Sequence, residues 1–155
     1  MNKKIGVLLP FKDHFTYSKA GSASIWIKDF NRKSSHKKNI YVCGNTDNLK
    51  DLIEKKNYLN IKFSDSTFES KNKLYINEFI KLNSKHKFKL IEVHNRPSYV
   101  HRLIEKEINS KIVLIFHNNP LNLGGSKTVE ERNILIDKCE KLIFVSNWVK
   151  EKFFE

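Results

Sequence analysis

The chain has 155 residues, a formal net charge of +12 and a hydrophobic fraction of 39%. That length suits one domain, able to bury about 70% of its unfolded surface without staples. The apolar run Ile5 to Phe11 is too short to span a membrane, no secretory leader pattern is present, and the two cysteines, Cys43 and Cys139, make no disulfide framework.

These features predict a cytoplasmic protein with buried free thiols. The charge comes mostly from lysine, and it names two partner classes, nucleic acid and anionic membrane surface. The lysines are scattered and not interleaved with aromatics, so a solvated basic surface is expected. Peripheral contact with the inner face of the cell membrane follows next, and no nucleic-acid role is expected.

In chain order, Lys3 to Leu9 predicts a first strand, stopped by Pro10. Phe11 to Gly21 has no period and predicts a loop. Ala23, Trp26, Ile27 and Phe30 recur at helical spacing, which predicts a helix from Ser22 to Arg32. Asn39 to Cys43 predicts the second strand, turning at Gly44-Asn45. Asp47 to Lys56 predicts a short helix with Leu49, Leu52 and Ile53 inward, and Leu59 to Phe63 a third strand. Phe68 to Leu82 predicts a longer helix with Phe68, Tyr75, Ile76, Phe79, Ile80 and Leu82 on one face.

Phe88 to Val93 predicts the fourth strand. Pro97 suits the first position of the next helix, where its missing N–H costs nothing; that helix should bury Tyr99, Val100, Leu103, Ile104 and Ile108. Lys111 to Phe116 predicts the fifth strand, followed by a loop over residues 118–127. Thr128 and Glu131 have capping-box spacing, which starts a helix running to Glu140. A sixth strand, Lys141 to Val145, leads to Ser146 as the N-cap of a last helix carrying Trp148, Val149, Phe153 and Phe154.

Sustained β-α alternation predicts a Rossmann-like, doubly wound, three-layer α/β domain with a mostly parallel sheet. Right-handed crossovers favour the strand order 3-2-1-4-5-6. The first and fourth strands then meet at the switch point, where ligands bind beyond the strands' carboxyl ends. Two apolar runs end in the same dipeptide at that edge, His94-Asn95 and His117-Asn118.

A histidine at a strand tip serves equally well as a hydrogen-bonded structural group or as a group that holds a hydroxyl or moves a proton near neutral pH. Gly21, at the start of the first helix, could let a phosphate approach free N–H groups. It could equally be a simple helix-start glycine, because neither the three-glycine dinucleotide fingerprint nor a P-loop lysine is present. Arg96 could meet an anion in the crevice or pair with a carboxylate at the helix start. His14 could reach the crevice, whereas Asp13 is read as solvated and His101 as a surface residue. Two histidines make a poor zinc site, so no metal is expected.

Several segments together resemble the N-terminal half of a family 4 glycosyltransferase of GT-B fold. They are IGVLLP at the start, KAGSASIWIKDF over the first helix, the tips IEVHNRPSYV and IVLIFHNNP, and the closing KCEKLIFVSNWVKEKFF. The likeness runs through nearly the whole chain and rests on order and spacing rather than on one motif. It implies an acceptor-side lobe that works with a C-terminal GT-B domain, in cis or in trans, which binds the nucleotide-sugar donor. It also implies retention of configuration and a nucleotide-sugar co-substrate, with no metal or other cofactor. By the same resemblance His117 is catalytic, Gly21 approaches the donor diphosphate, and His94, Asn95, Arg96 and Asn118 shape the acceptor side. The first loop departs from the family in having Ala20-Gly21 where paired glycines are common.

The expectation is therefore the acceptor-binding domain of a retaining glycosyltransferase, inactive alone, that takes a glycan or lipid-linked acceptor in cell-envelope polysaccharide synthesis. A chain that stops at Phe153-Phe154-Glu155, within an aromatic helix, is expected to continue in a longer parent or to meet a partner. The competing expectation is a non-enzymatic Rossmann-like module that binds a nucleotide or phosphorylated ligand, or docks on a partner protein.

Overall fold

A computed structural model describes residues 3–65 and 68–155. Six strands form one parallel sheet: β1 (Ile5–Leu8), β2 (Ile40–Gly44), β3 (Tyr58–Asn60), β4 (Leu90–His94), β5 (Lys111–Phe116) and β6 (Lys141–Phe144). Their order is β3-β2-β1-β4-β5-β6, as predicted. Five α-helices connect or follow them: α1 (Ser22–Lys33), α2 (Lys71–His86), α3 (Pro97–Glu105), α4 (Val129–Lys138) and α5 (Asn147–Phe154). This is a Rossmann-like α/β fold.

The helix starts follow the local chemistry read from the sequence. Thr128 and Glu131 form the reciprocal capping box of α4, Ser146 caps α5 by accepting from the Val149 N–H, and Pro97 opens α3. Ser70 caps α2, and Lys87 closes it in the left-handed conformation.

Side chains alternate across the strands and split the core in two. Leu8, Ile91, Val93, Ile112, Leu114 and Phe116 face the larger layer, which includes Tyr75 and Phe79 of α2, Val100 and Leu103 of α3, Leu135 of α4 and Phe153 of α5. Val7, Leu9, Ile40 and Val42 face the other side and meet Ala23 and Ile27 of α1. One face thus carries four helices and the other a single helix. A groove beside α1 is floored by Val7, Leu90, Val113 and Ile143 and reaches Glu92.

Some predicted elements shift. Asp47 to Lys56 is no helix: only a 3₁₀ turn forms at Leu49–Asp51, and Leu49 is 43% exposed. Its backbone bonds go to the loop after β1. The Ile53 N–H donates to Phe15 O, the Tyr17 N–H to Asp51 O, and Thr16 bridges Leu52. Long-range pairing thereby overrides a short helical pattern. The helix expected from Phe68 starts at Lys71 and runs on to His86, leaving Phe68 outside it and 96% exposed; Ser66 and Thr67 lie outside the described residues. β3 is shorter than predicted and ends at Asn60. Among the described residues, no helix is long and apolar enough to cross a membrane.

Candidate functional site

The β4 and β5 tips stand side by side, with His94 in register with Ile115. Period-two alternation then puts Glu92, His94 and His117 on the face that α1 covers. His94 is fully buried. Its Nε2 lies 2.7 Å from Glu92 Oε1 and its Nδ1 2.9 Å from His117 Nε2. The Trp26 ring of α1 packs across both imidazoles, with centroids 5.3 Å from His94 and 6.2 Å from His117. Burial, reinforced by the neighbouring His94, pushes the His117 pKa down to about 4; Asp13 and Glu92 oppose that shift only in part. His117 is therefore a neutral imidazole at physiological pH.

Asn95 builds the turn beneath the pair. It adopts φ 54°, in the left-handed region that asparagine tolerates, and is almost fully buried. Its Oδ1 accepts the N–H groups of His117 (3.3 Å) and Asn118 (3.2 Å), while its own N–H donates to Ile115 O. Asn95 thus holds the β5 tip from β4. The Asn118 side chain is at the surface.

Arg96 donates to the Asn95 carbonyl at 2.9 Å and lies near Tyr99, whose phenol burial pushes up to about 12. No carboxylate stands within ion-pair distance of Arg96 among the described residues, so the predicted salt bridge is not formed. His101 is not merely a surface residue: its Nε2 meets Gly125 O at 2.7 Å and ties the loop after β5 to α3.

Gly21 is the N-cap of α1, with extended backbone. Its N–H donates to Asp13 Oδ1 at 3.0 Å, and the Ser24 hydroxyl donates to the same oxygen at 2.6 Å. Asp13 therefore ties the loop after β1 to the start of α1 and is not a solvated loop residue. A Cβ at position 21 would stand 2.7 Å from Asp13 Oδ2, which explains the glycine by close approach. His14 meets Thr46 Oγ1 at 3.3 Å, beyond the β2 tip and away from the histidine pair.

Sequence reasoning missed Glu92, Asp13 and Trp26. Glu92 carried a usable signal, because a carboxylate two residues before a strand-tip histidine shares its face. No group of three or more histidine, cysteine, aspartate or glutamate side chains converges as a metal site among the described residues. The two histidines bond each other instead of pointing at a common centre.

No protein-family model and no curated protein matches the sequence. Among solved structures, the chain is similar to a sucrose-phosphate synthase from Thermosynechococcus elongatus, with a TM-score of 0.60 and 14% identity. The match covers 96% of this chain and 44% of that one, so the chain spans less than half of the structure it resembles.

Proposed function

We propose that this chain is the acceptor-side lobe of a retaining glycosyltransferase of family 4, with His117 facing the transferred sugar and the acceptor. The carrying observation is the neutral His117 at the β5 tip, backed by His94 and Glu92 of β4, beside the switch point of a 3-2-1-4-5-6 parallel sheet. The fold likeness to a sucrose-phosphate synthase supports the reading.

In the proposed reaction an acceptor hydroxyl oxygen replaces the nucleoside diphosphate at the anomeric carbon. The diphosphate leaves with the bonding electrons, and the hydroxyl proton passes to its departing oxygen. A donor-side GT-B lobe, in cis or in trans, would bind the nucleotide, and no metal or other cofactor is required. Gly21 would lie beside the donor diphosphate. Because Asp13 already takes the Gly21 N–H, the phosphate would use the next N–H, at the exposed Ser22. Arg96 and Asn118 would frame a glycan or lipid-linked acceptor, on a turn that the buried Asn95 holds from within.

A groove of about 390 Å³ on the other side of α1 has Phe15, Ile40 and Val42 in its floor and Lys28, Arg32, Lys37, Lys38 and Lys56 around it. It supports the proposal of peripheral contact with an anionic membrane, at the cytoplasmic face of the envelope pathway. A second reading, docking without catalysis, draws on Trp148 and Phe154, which are 53% and 61% exposed on α5.

The test is transfer from a panel of nucleotide-sugar donors by the native protein together with its donor lobe. His117→Ala should lower turnover by about 10²-fold or more, in the range of a lost acid-base or positioning group, with the fold retained by circular dichroism. Undiminished transfer by that variant, or no transfer from any donor by the native protein, would refute the proposal.

A further inference from the structure

We infer that Glu92 and His94 act as a positioning pair that locks His117 in one tautomer, with the proton on Nε2 and a bare Nδ1, so that the site accepts a hydroxyl and rejects a carbonyl or phosphate oxygen at that point. The inference deepens the reading of His117 as a sugar-facing residue, but it rests on the geometry of three side chains.

The protons along the chain of contacts can be counted. An ionised carboxylate can only accept, so the 2.7 Å contact with Glu92 requires a proton on His94 Nε2. A neutral imidazole has one N–H, which leaves His94 Nδ1 bare. The 2.9 Å contact between the rings needs one proton, and it must then sit on His117 Nε2. His117 is itself neutral, so its Nδ1 is a lone pair. That atom has no partner among the described residues. Among the described residues, the only buried side-chain polar atom without a partner is Asn31 Oδ1, so His117 Nδ1 opens to the crevice.

The opposite polarity needs either an imidazolium at the fully buried His94 or a protonated Glu92. Burying the His94⁺–Glu92⁻ ion pair costs desolvation on both sides. Glu92 borders the groove beside α1 with its side chain 14% exposed, so water can solvate its carboxylate. Asp13 is the other titratable group acting on His117, from the loop before α1. It is already engaged with Gly21 and Ser24.

Both opposite states would put the proton on His117 Nδ1, so one measurement decides. The chain carrying ¹⁵N-histidine is observed by long-range ¹H–¹⁵N correlation at pH 7.5, with H94Q and H117Q for assignment. The expected result is a protonated Nε2 and a bare Nδ1 for both residues. Glu92→Gln should retain that pattern, because its amide oxygen still accepts from His94. Glu92→Leu should lose it, with a mixture of both tautomers at His117. A protonated Nδ1 on His117 in the native chain overturns the inference and needs no variant to fold.

Saccharide binding, followed on the same sample by saturation transfer, separates the two claims. Locked tautomers without any saccharide contact leave the positioning pair standing and count against the transferase reading. Saccharide contact with a protonated Nδ1 does the reverse.

Discussion

Asn95→Ala and Asn95→Gly together test how the β5 tip is held. Truncation removes the carbonyl oxygen that takes two backbone N–H groups, at 3.3 and 3.2 Å. Each such bond contributes about 0.5–1.5 kcal/mol net, and Asn118 lies at the surface where water can replace one of them, so roughly 2 kcal/mol is lost in either variant. Alanine must in addition adopt φ 54°, which costs about 1–2 kcal/mol in the left-handed region. Glycine avoids that strain but costs about 0.5–1 kcal/mol in chain entropy. Alanine should therefore be the worse substitution by up to about 1.5 kcal/mol. For a chain of this size 1 kcal/mol moves the melting temperature by about 2–4 °C, which puts Asn95→Ala roughly 6–16 °C below the parent and Asn95→Gly a few degrees above Asn95→Ala. Differential scanning calorimetry reads both. A glycine variant that melts at or below the alanine variant would refute the left-handed constraint, and two neutral variants would refute the hydrogen bonds.

Gly6→Ala should destabilise by about 1–3 kcal/mol through overpacking, because its Cβ would lie 2.5 Å from the ring of the buried Phe88; urea denaturation checks this, and a neutral result would mean that the ring moves freely. The low pKa of His117 links stability to pH. The unfolded chain takes up a proton near 6.5 and the folded chain only near 4, so this contribution is complete above about pH 6.5 and is lost as pH falls toward about 4. Denaturation midpoints between those limits should fall less steeply in His117→Ala, and parallel curves would refute the shift.

Strand identity and order were legible because each buried strand is a short apolar run with a polar stop, and because crossover handedness leaves few orders open. That order sets the tips of β4 and β5 side by side, but the contact between His94 and His117 also depends on the register of the two strands. The segment Asp47 to Lys56 was not legible: its helical spacing is real, but its backbone bonds go to Phe15 and Tyr17 across the loop after β1. Asp13 looked like a loop residue because its partners, Gly21 and Ser24, are reached only when that loop folds back onto α1. Phe68 was placed inward by periodicity, yet Ser70 supplies the cap and starts the helix after it.

The central place of β1 has a consequence for synthesis. Its register joins Ile5 to Ile40 on one side and to Leu90 on the other. On a ribosome adding about 5–20 residues per second, β2 emerges early, but the other edge of β1 waits several seconds for β4. Throughout that interval a short apolar edge of parallel sheet lies open to nascent neighbours and to chaperones. The histidine pair waits longer still, since His117 follows β5, so the chemistry of the site is assembled only after the sheet has closed around its first strand.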